Sequence, residues 1–193
     1  MKKIFLFLIL ALCVKFVFAQ EVVGKYTAMG FENKIEAVIT DKGVFKVWIA
    51  APGYEKKMLK IQGESDLNSF VQRLRECKEK FVEWSNVAKV NNVTNFLKKF
   101  DVSFPKVEIW WRGSEWFSTY QRDYFKPSFM VSENGIVFIV SEEVAHWDNK
   151  YIDTDFLFIL GSAEDFNSLI NALDVEKIKG ALAKKENIGD LFQ

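Results

Sequence analysis

The only histidine of the chain, His146, lies among acidic side chains that could ligate a metal ion. Glu143 precedes it by three residues and Asp148 follows it by two. Zinc binds such nitrogen and oxygen ligands, but at least three must converge, and no second histidine completes a repeated Glu-x-x-His pattern. A catalytic triad would also need His146, and no Gly-x-Ser-x-Gly motif presents a serine to it. We expect an ordinary loop histidine, no catalytic residue and no metal site.

The polar connector that contains His146, residues 142–154, also carries oxygen ligands of the kind that calcium prefers. Asp148, Asn149, Asp153 and the following Asp155 lie within eight residues. The spacing of an EF-hand loop is absent, however, and so is the glycine that its sharp turn requires. We therefore expect a solvated acidic loop and no cofactor.

Two glutamates near the centre of the chain could act as paired carboxylates on a glycoside. Glu108 and Glu115 would face each other near a hairpin turn, and both flank tryptophans. Glycoside hydrolysis uses two carboxyl groups about 5 to 10 Å apart across a sugar cleft. Glutamates beside a turn are also ordinary solubilising charges, and the chain is short for an enzyme with a cleft. A small carboxylate-dependent hydrolase is therefore an alternative function and not the preferred one.

The strongest feature of the sequence is an aromatic hairpin, residues 106–125, which holds three of the six tryptophans. Two strand-like runs meet there across a turn at residues 112–114. Aromatic and arginine side chains are enriched at the centres of protein interfaces, and ligand pockets are lined by aromatic side chains with a few polar groups. The candidate binding residues are Trp110, Trp111, Arg112, Trp116, Tyr120 and Arg122.

Alternation along the first strand of the hairpin places aromatic side chains on both of its faces. One face takes Val107, Ile109 and Trp111, and the other takes Glu108, Trp110 and Arg112. Helices can cover one face of this sheet, whereas the other meets either solvent or the other half of the chain. In the first case it is a binding face, and in the second its aromatic side chains pack between the halves. The sequence leaves both interpretations open.

The elements that position the hairpin follow one plan in the first half of the chain. Turn residues 40–43 join two strand-like runs. Apolar side chains at three-and-four spacing then predict a long helix, which Ser65 would cap and Asn91 would end. A second, short helix is predicted over residues 93–100.

The second half repeats this plan. Residues 132–136 match 40–44 around a turn glycine, and residues 165–173 match 66–74 with four identical positions. Ser162 is expected to cap the helix that contains this match, and a shorter helix is expected after Asp174. We therefore expect an internal duplication.

Antiparallel strands followed by helices are typical of the α+β class. We expect antiparallel sheets with helices packed on one face, in two pseudo-symmetric halves, each with strands followed by a long and a short helix. The halves are residues 20–101 and 102–193. Because no linker rich in Pro, Gly or Ser separates them, they should form one compact unit.

Residues 1–19 have the composition of a secretory signal peptide. Two lysines precede an apolar run, residues 4–14, that is too short to span a bilayer as a helix. A small residue, Ala19, then favours cleavage before Gln20. A lipoprotein would use Cys13, but a leucine precedes it where a small residue is needed, and a retained anchor is the remaining alternative. We expect an exported protein, in the periplasm or outside the cell.

Composition argues against several classes of partner. The full chain has 26 basic and 26 acidic side chains, and loss of three lysines with the leader leaves a net charge of about −3. Nucleic-acid binding needs a basic face, so we expect none. No later segment is apolar over enough residues to insert into a membrane. The mature chain keeps one cysteine, Cys77, which excludes an internal disulfide and favours a small buried side chain on a helix.

These features together predict an exported, non-enzymatic protein that binds a partner through the aromatic hairpin. A protein partner is preferred to a glycan. Besides the hydrolase, a structural component of an envelope assembly remains an alternative.

Overall fold

The structure is a computed structural model that describes residues 20–112, 116–118, 123–146 and 153–190. These residues form two antiparallel sheets and three helices, so the predicted α+β class is confirmed. The predicted signal peptide, residues 1–19, lies outside the described residues.

Eleven strands build the two sheets in the described part of the chain. In chain order they are β1 (Glu21–Ala28), β2 (Phe31–Ile39), β3 (Phe45–Ala51), β4 (Tyr54–Gln62), β5 (Phe96–Lys99), β6 (Lys106–Arg112), β7 (Trp116–Ser118), β8 (Asp123–Tyr124), β9 (Ser128–Val131), β10 (Val137–His146) and β11 (Asp153–Leu160). The large sheet has the order β1-β2-β3-β4-β6-β7, with β8 also paired to β6. The small sheet has the order β11-β10-β9-β5.

Each sheet takes strands from both halves of the chain. From the first half, β5 pairs with β9 in the small sheet, and from the second half, β6 pairs with β4 in the large sheet. The two halves therefore do not share one long sheet, and neither half builds a sheet from its own strands alone.

The described residues also form three helices. They are α1 (Glu64–Val90), between β4 and β5, and α2 (Ala163–Ala172) and α3 (Val175–Asp190), after β11. The apolar stripe predicted for α1 is confirmed, because Leu67, Phe70, Leu74 and Phe81 are buried. Such a stripe forms a long helix in water only when it packs against a core.

Aromatic contacts join α1 to the second half of the chain. Phe70 lies 5.5 Å from Phe125, and Phe81 lies 5.5 Å from Phe166 on α2 and 6.1 Å from Phe129 on β9, between ring centroids. The residues of one main core come from both sheets and all three helices. Burial of each such phenylalanine contributes about 1.5–3 kcal/mol.

The large sheet has apolar side chains on both faces. Its inner face, which includes Ile35, Ile49 and Ile109, belongs to the main core. Its outer face carries a second, smaller cluster, formed by Val38, Trp48, Ala50 and Met58 with Trp110 packed against it.

The two predicted turns are confirmed, and they have the same hydrogen bonds. In the first, Gly43 N donates to Thr40 O (2.7 Å), and Val44 N donates to the Thr40 hydroxyl (3.1 Å). In the second, Gly135 N donates to Ser132 O (3.0 Å), and Ile136 N donates to the Ser132 hydroxyl (3.0 Å). Both glycines have positive φ, 71° and 73°, which favours glycine over residues with a side chain.

Helix α2 closes the outer edge of the large sheet. The backbone N–H of Thr27 donates to the Ser168 hydroxyl (2.8 Å), and that of Met29 donates to Asp165 Oδ2 (3.1 Å). The same Asp165 oxygen accepts from Gly161 N (2.8 Å), while Ser162 caps the helix as predicted. Two amides at the end of this edge, those of Thr27 and Met29, are thus satisfied by side chains.

Several predicted elements differ from the structure. The short helix predicted over 93–100 is wrong, because residues 96–99 form β5 and Asn92 and Asn95 have positive φ, which an α-helix cannot accommodate. Ser65 is not a helix cap, since α1 starts at Glu64 after Gly63. The expected order of a long and then a short helix is also wrong in the second half, where α2 has 10 residues and α3 has 16.

The polar connector predicted at 142–154 is much shorter than expected. Strand β10 continues to His146 and β11 begins at Asp153, and these two residues are register partners. His146 therefore ends a strand instead of lying within a long loop.

Candidate binding site

Strand β6 of the aromatic hairpin lies inside the large sheet, between β4 on one side and β7 with β8 on the other. Its register with β4 places Glu108 opposite Lys60 and Trp110 opposite Met58. The register of β3 with β4 places Trp48 opposite Lys60. Alternation of side chains then brings these residues together on the outer face.

An ion pair lies at the centre of this group. Lys60 Nζ is 2.7 Å from Glu108 Oε2, and the two side chains are only 9% and 17% exposed. The indole Nε1 of Trp110 donates to the same Glu108 oxygen (3.2 Å). A charge pair in such a place is stable only when its geometry is good and its remaining polar atoms have partners. Here one carboxylate orients both the lysine and the tryptophan.

The two tryptophans contact each other and the lysine. Trp48 and Trp110 meet edge to face, with centroids 5.6 Å apart and planes at 81°. Lys60 Nζ lies 5.1 Å from the Trp110 ring centroid and 5.9 Å from that of Trp48. Edge-to-face and cation–π contacts each contribute about 0.5–1.5 kcal/mol. Together they fix the orientation of Trp110, whose side chain is half-buried.

Within this group, the indole N–H of Trp48 is an unsatisfied hydrogen-bond donor. Its side chain is buried, and in the described structure its Nε1 has no hydrogen-bond partner. Leaving a buried donor unpaired costs about 1–3 kcal/mol. We have no structural explanation for the retention of this donor.

The structure separates the predicted binding residues. Trp110 lies on the outer face with Lys60 and Glu108, whereas Trp111 lies in register with Lys57 and shares the side of Ile109. The backbones of Arg112 and Trp116 pair at the end of β6 and β7, but their side chains are outside the described residues. Tyr120 and Arg122 lie outside the described residues entirely, as does Glu115.

Two residues of this site were not identified from the sequence, Trp48 and Lys60. The predicted turn at 40–43 could have placed Trp48 on the outer face, because it fixes the β2–β3 register. Lys60 reaches Glu108 only through the β4–β6 pairing, which joins strands 48 residues apart and which local patterns do not encode.

The residues of the other candidate chemistries lie mostly outside the described part of the chain. Among the described residues, no three His, Cys, Asp or Glu side chains come together to hold a metal ion. The side chains of Glu143, His146, Asp153 and Asp155 are outside the described residues, as is all of Asp148.

Cys77 does not have the environment of a nucleophile. It is buried on α1, and burial, with a smaller effect of the Glu76 carboxylate, raises the pKa of its thiol to about 12. A catalytic cysteine requires a lowered pKa and access to substrate.

None of the helices in the described part of the chain has the length and apolar character that crossing a bilayer would require. Comparisons of the chain with protein-family models, with curated proteins and with solved structures found no match. We therefore infer function from the geometry of this chain alone.

Proposed function

We propose that this chain is an exported, non-enzymatic binding protein whose contact face is the aromatic hairpin, residues 106–125. The observation that carries the proposal is the orientation of Trp110. Its half-buried indole is fixed by a hydrogen bond to Glu108 and by ring contacts with Lys60 and Trp48. A side chain that is already ordered loses little entropy on binding, and ordered aromatic side chains are the common anchors of interfaces.

A protein partner fits this face better than a glycan. The outer face carries Trp110 beside a buried apolar cluster that includes Trp48 and Met58, and aromatic and Met side chains are enriched at interface centres. A glycan would also stack on Trp110, and it remains the second class of ligand to test. The absence of a basic face in the sequence argues against nucleic acid.

The alternative functions have weaker support. Glu108 would have to act as an acid or base in a hydrolase, but its carboxylate already accepts from Lys60 and Trp110. A structural role in an envelope assembly predicts that the purified protein is an oligomer and that a Trp110 variant loses this state.

We further propose that the two halves arose by duplication of one strand–helix unit. The order β1-β2-β3-β4 in the large sheet is repeated by β5-β9-β10-β11 in the small sheet, and a helix follows the last strand of each set. The matching turns with the same hydrogen bonds join β2 to β3 and β9 to β10.

Burial in the matching helices also supports the duplication. The matched pairs are Leu67 with Phe166, Phe70 with Leu169, Val71 with Ile170 and Leu74 with Leu173, and all eight side chains are buried. On this proposal, β6, β7 and β8 are an insertion between the first and second strands of the second unit, and the aromatic hairpin is its main part. A segment added to a complete unit is free to take a separate role.

The binding proposal is tested with residues 20–193 on a printed glycan array and against a library of displayed peptides. Trp110→Ala should weaken binding of at least one selected ligand by at least about tenfold, a loss of about 1.4 kcal/mol. Trp111→Ala is the matched control, because it removes the neighbouring indole from the opposite side of the strand, and it should change affinity less than about twofold.

Folding is checked by circular dichroism for each variant. If Trp110→Ala does not fold, Trp110→Phe keeps a ring against Trp48 and permits the same comparison. The proposal is wrong if no probe binds, or if folded Trp110 variants keep full affinity for every selected ligand.

A further inference from the structure

A second surface, formed by α1 and β5, combines exposed apolar side chains with a cavity. At the end of α1, Val87 is 55% exposed, and on β5, Phe96 is 44% exposed, and both side chains line the cavity. Clustered apolar exposure of this kind marks interaction sites on soluble proteins.

A cavity of about 240 Å³ lies between α1 and β5, and we call it the α1–β5 cleft. It is lined by Trp84, Val87, Ala88, Val93, Phe96, Lys98 and Phe129. Ala88 and Phe129 are buried and form its floor, while Val87, Phe96 and Lys98 are exposed and form its rim. An apolar cavity of about 150 Å³ holds a benzene ring, so this cleft has room for one aromatic or branched side chain.

One positive charge lies at the rim of the cleft. Lys98 Nζ is 4.1 Å from the centroid of the Trp84 ring, and within the described residues it pairs with no carboxylate. Because the remaining lining is apolar, a ligand that fills the cleft and carries an anionic group beside it would complement both features. The next residue, Lys99, adds a second positive charge to the same strand.

The strand beside the cleft has an open edge. Within the described residues, β5 pairs only with β9, and all four of its side chains are exposed. At the β1 edge of the large sheet, by contrast, Ser168 and Asp165 of α2 accept hydrogen bonds from the Thr27 and Met29 amides. Proteins protect sheet edges with short strands and lysines, and β5 has four residues that include Lys98 and Lys99, so a strand that pairs with it must carry complementary negative charge.

We propose that β5 accepts an extended, acidic segment of a partner protein as an additional strand. The backbone of the segment pairs with β5, one of its apolar side chains enters the α1–β5 cleft, and a carboxylate two residues away contacts Lys98. In strand addition, backbone hydrogen bonds supply affinity and pockets for alternate side chains supply specificity. This site goes beyond the aromatic hairpin and does not depend on it.

The chain offers a matched pair of variants. Lys98 lies opposite buried Phe129 on the side of β5 that faces the cleft, and Lys99 lies opposite Ser128 with its side chain on the other side. Lys98→Glu and Lys99→Glu therefore make the same charge change on adjacent exposed residues, and only the first alters the cleft. Neither position is buried, so both variants should fold.

The experiment selects binders of residues 20–193 from a phage-displayed library of random nine-residue peptides. We expect enrichment of an apolar residue with Asp or Glu two positions away. The best peptide, made synthetically, should bind Lys98→Glu at least about tenfold more weakly and Lys99→Glu within about twofold. Its analogue with Lys in place of the acidic residue should prefer Lys98→Glu to the unchanged chain. Peptide binding should also slow hydrogen exchange of the β5 amides.

Failure of enrichment, equal losses in the two lysine variants, or unchanged exchange in β5 would each overturn the proposal. Binding of decanoic acid without binding of any peptide would show that the cleft takes a free apolar anion instead. Trp110→Ala separates this site from the hairpin. If every selected peptide loses affinity for that variant and none loses affinity for Lys98→Glu, all of them bind the hairpin; this result contradicts the strand-addition proposal and supports the proposed function.

Discussion

The Lys60–Glu108 pair connects the aromatic hairpin to the first half of the chain, and its low exposure determines how much it matters. Removing one partner leaves the other charge in a poorly solvated place. We expect Lys60→Met to lower the free energy of unfolding by about 2–4 kcal/mol, with the double variant Lys60→Met, Glu108→Leu recovering most of the loss. Urea unfolding measures both effects.

The exposed pair Lys25–Glu32 is the control for this prediction. Its atoms are 2.6 Å apart, but the side chains are 54% and 64% exposed. Lys25→Met should therefore change the free energy of unfolding by less than about 1 kcal/mol. Equal losses at the two pairs would mean that burial does not decide the strength of the Lys60–Glu108 pair.

The buried thiol of Cys77 makes stability depend on alkaline pH. Its pKa is about 12 in the folded protein against a reference value of 9.0. Above about pH 9 the unfolded chain loses this proton while the folded chain keeps it, so the free energy of unfolding falls as pH rises from 9 to 12. The slope from this group approaches about 1.4 kcal/mol per pH unit.

The buried phenol of Tyr26 also makes the free energy of unfolding fall as the pH rises into the alkaline range. Its pKa lies well above the usual value of 10.0, mainly because it is buried and secondarily because of Asp165.

Cys77→Ala should make the decline of the free energy of unfolding between pH 9 and 12 shallower, as measured by urea unfolding at each pH. An unchanged slope in that variant would mean that the thiol is not responsible.

At the residue scale, the sequence predicts which way a side chain points but not what it meets. The alternation of side chains along β6 correctly places Glu108 and Trp110 on one face of the sheet and Val107 and Ile109 on the other. It leaves open whether Trp110 meets solvent or the other half, and the structure shows that it does both: the half-buried ring packs against Trp48 of the first half and keeps part of its surface exposed. That contact needs the pairing of β3 with β4 and of β4 with β6, and the second pairing is not encoded locally.

At the element scale, the matching turns allow a paired test of their shared backbone geometry. Gly43 and Gly135 have nearly the same positive φ, and no atom lies within 4 Å of an added Cβ at either position. An alanine there would be strained only because its backbone would have to adopt positive φ. Gly43→Ala and Gly135→Ala should each lower the free energy of unfolding by about 1–2 kcal/mol, with similar values.

Gly180, inside α3, is the control for the turn glycines. No atom lies within 4 Å of an added Cβ there, and its φ is not positive. Gly180→Ala should raise the free energy of unfolding by up to about 1 kcal/mol, because alanine is a better helix former. Thermal unfolding of the three variants measures the effects, and a stabilising effect at either turn would contradict the geometry.

The β5 segment shows why one element could not be predicted. Val93, Phe96, Leu97 and Phe100 have helical spacing, but short apolar runs are ambiguous between helix and strand. Asn92 and Asn95 adopt positive φ, and pairing with β9, more than 28 residues away, then fixes the strand. Turns with a glycine, by contrast, carry their geometry in a few adjacent residues, so both were predicted correctly.

At the scale of the whole molecule, each half contributes a strand to the sheet of the other, and the main core includes both sheets and all three helices. We therefore expect residues 20–193 to unfold in one cooperative transition. Hydrogen exchange should give the same opening free energy for the central amides of β3 and of β10. Separate fragments 20–101 and 102–193 should not fold, because β5 would lack β9 and β6 would lack β4.

Phe81 provides the perturbation that tests this cooperativity. From α1 it contacts Phe129 in the small sheet and Phe166 on α2, which in turn covers the edge of the large sheet. Phe81→Leu should lower the opening free energies of both sheets equally, by about 1–2 kcal/mol. If only the small sheet lost protection, or if fluorescence and circular dichroism gave separate transitions, the halves would be independent units and the strand exchange would not couple them.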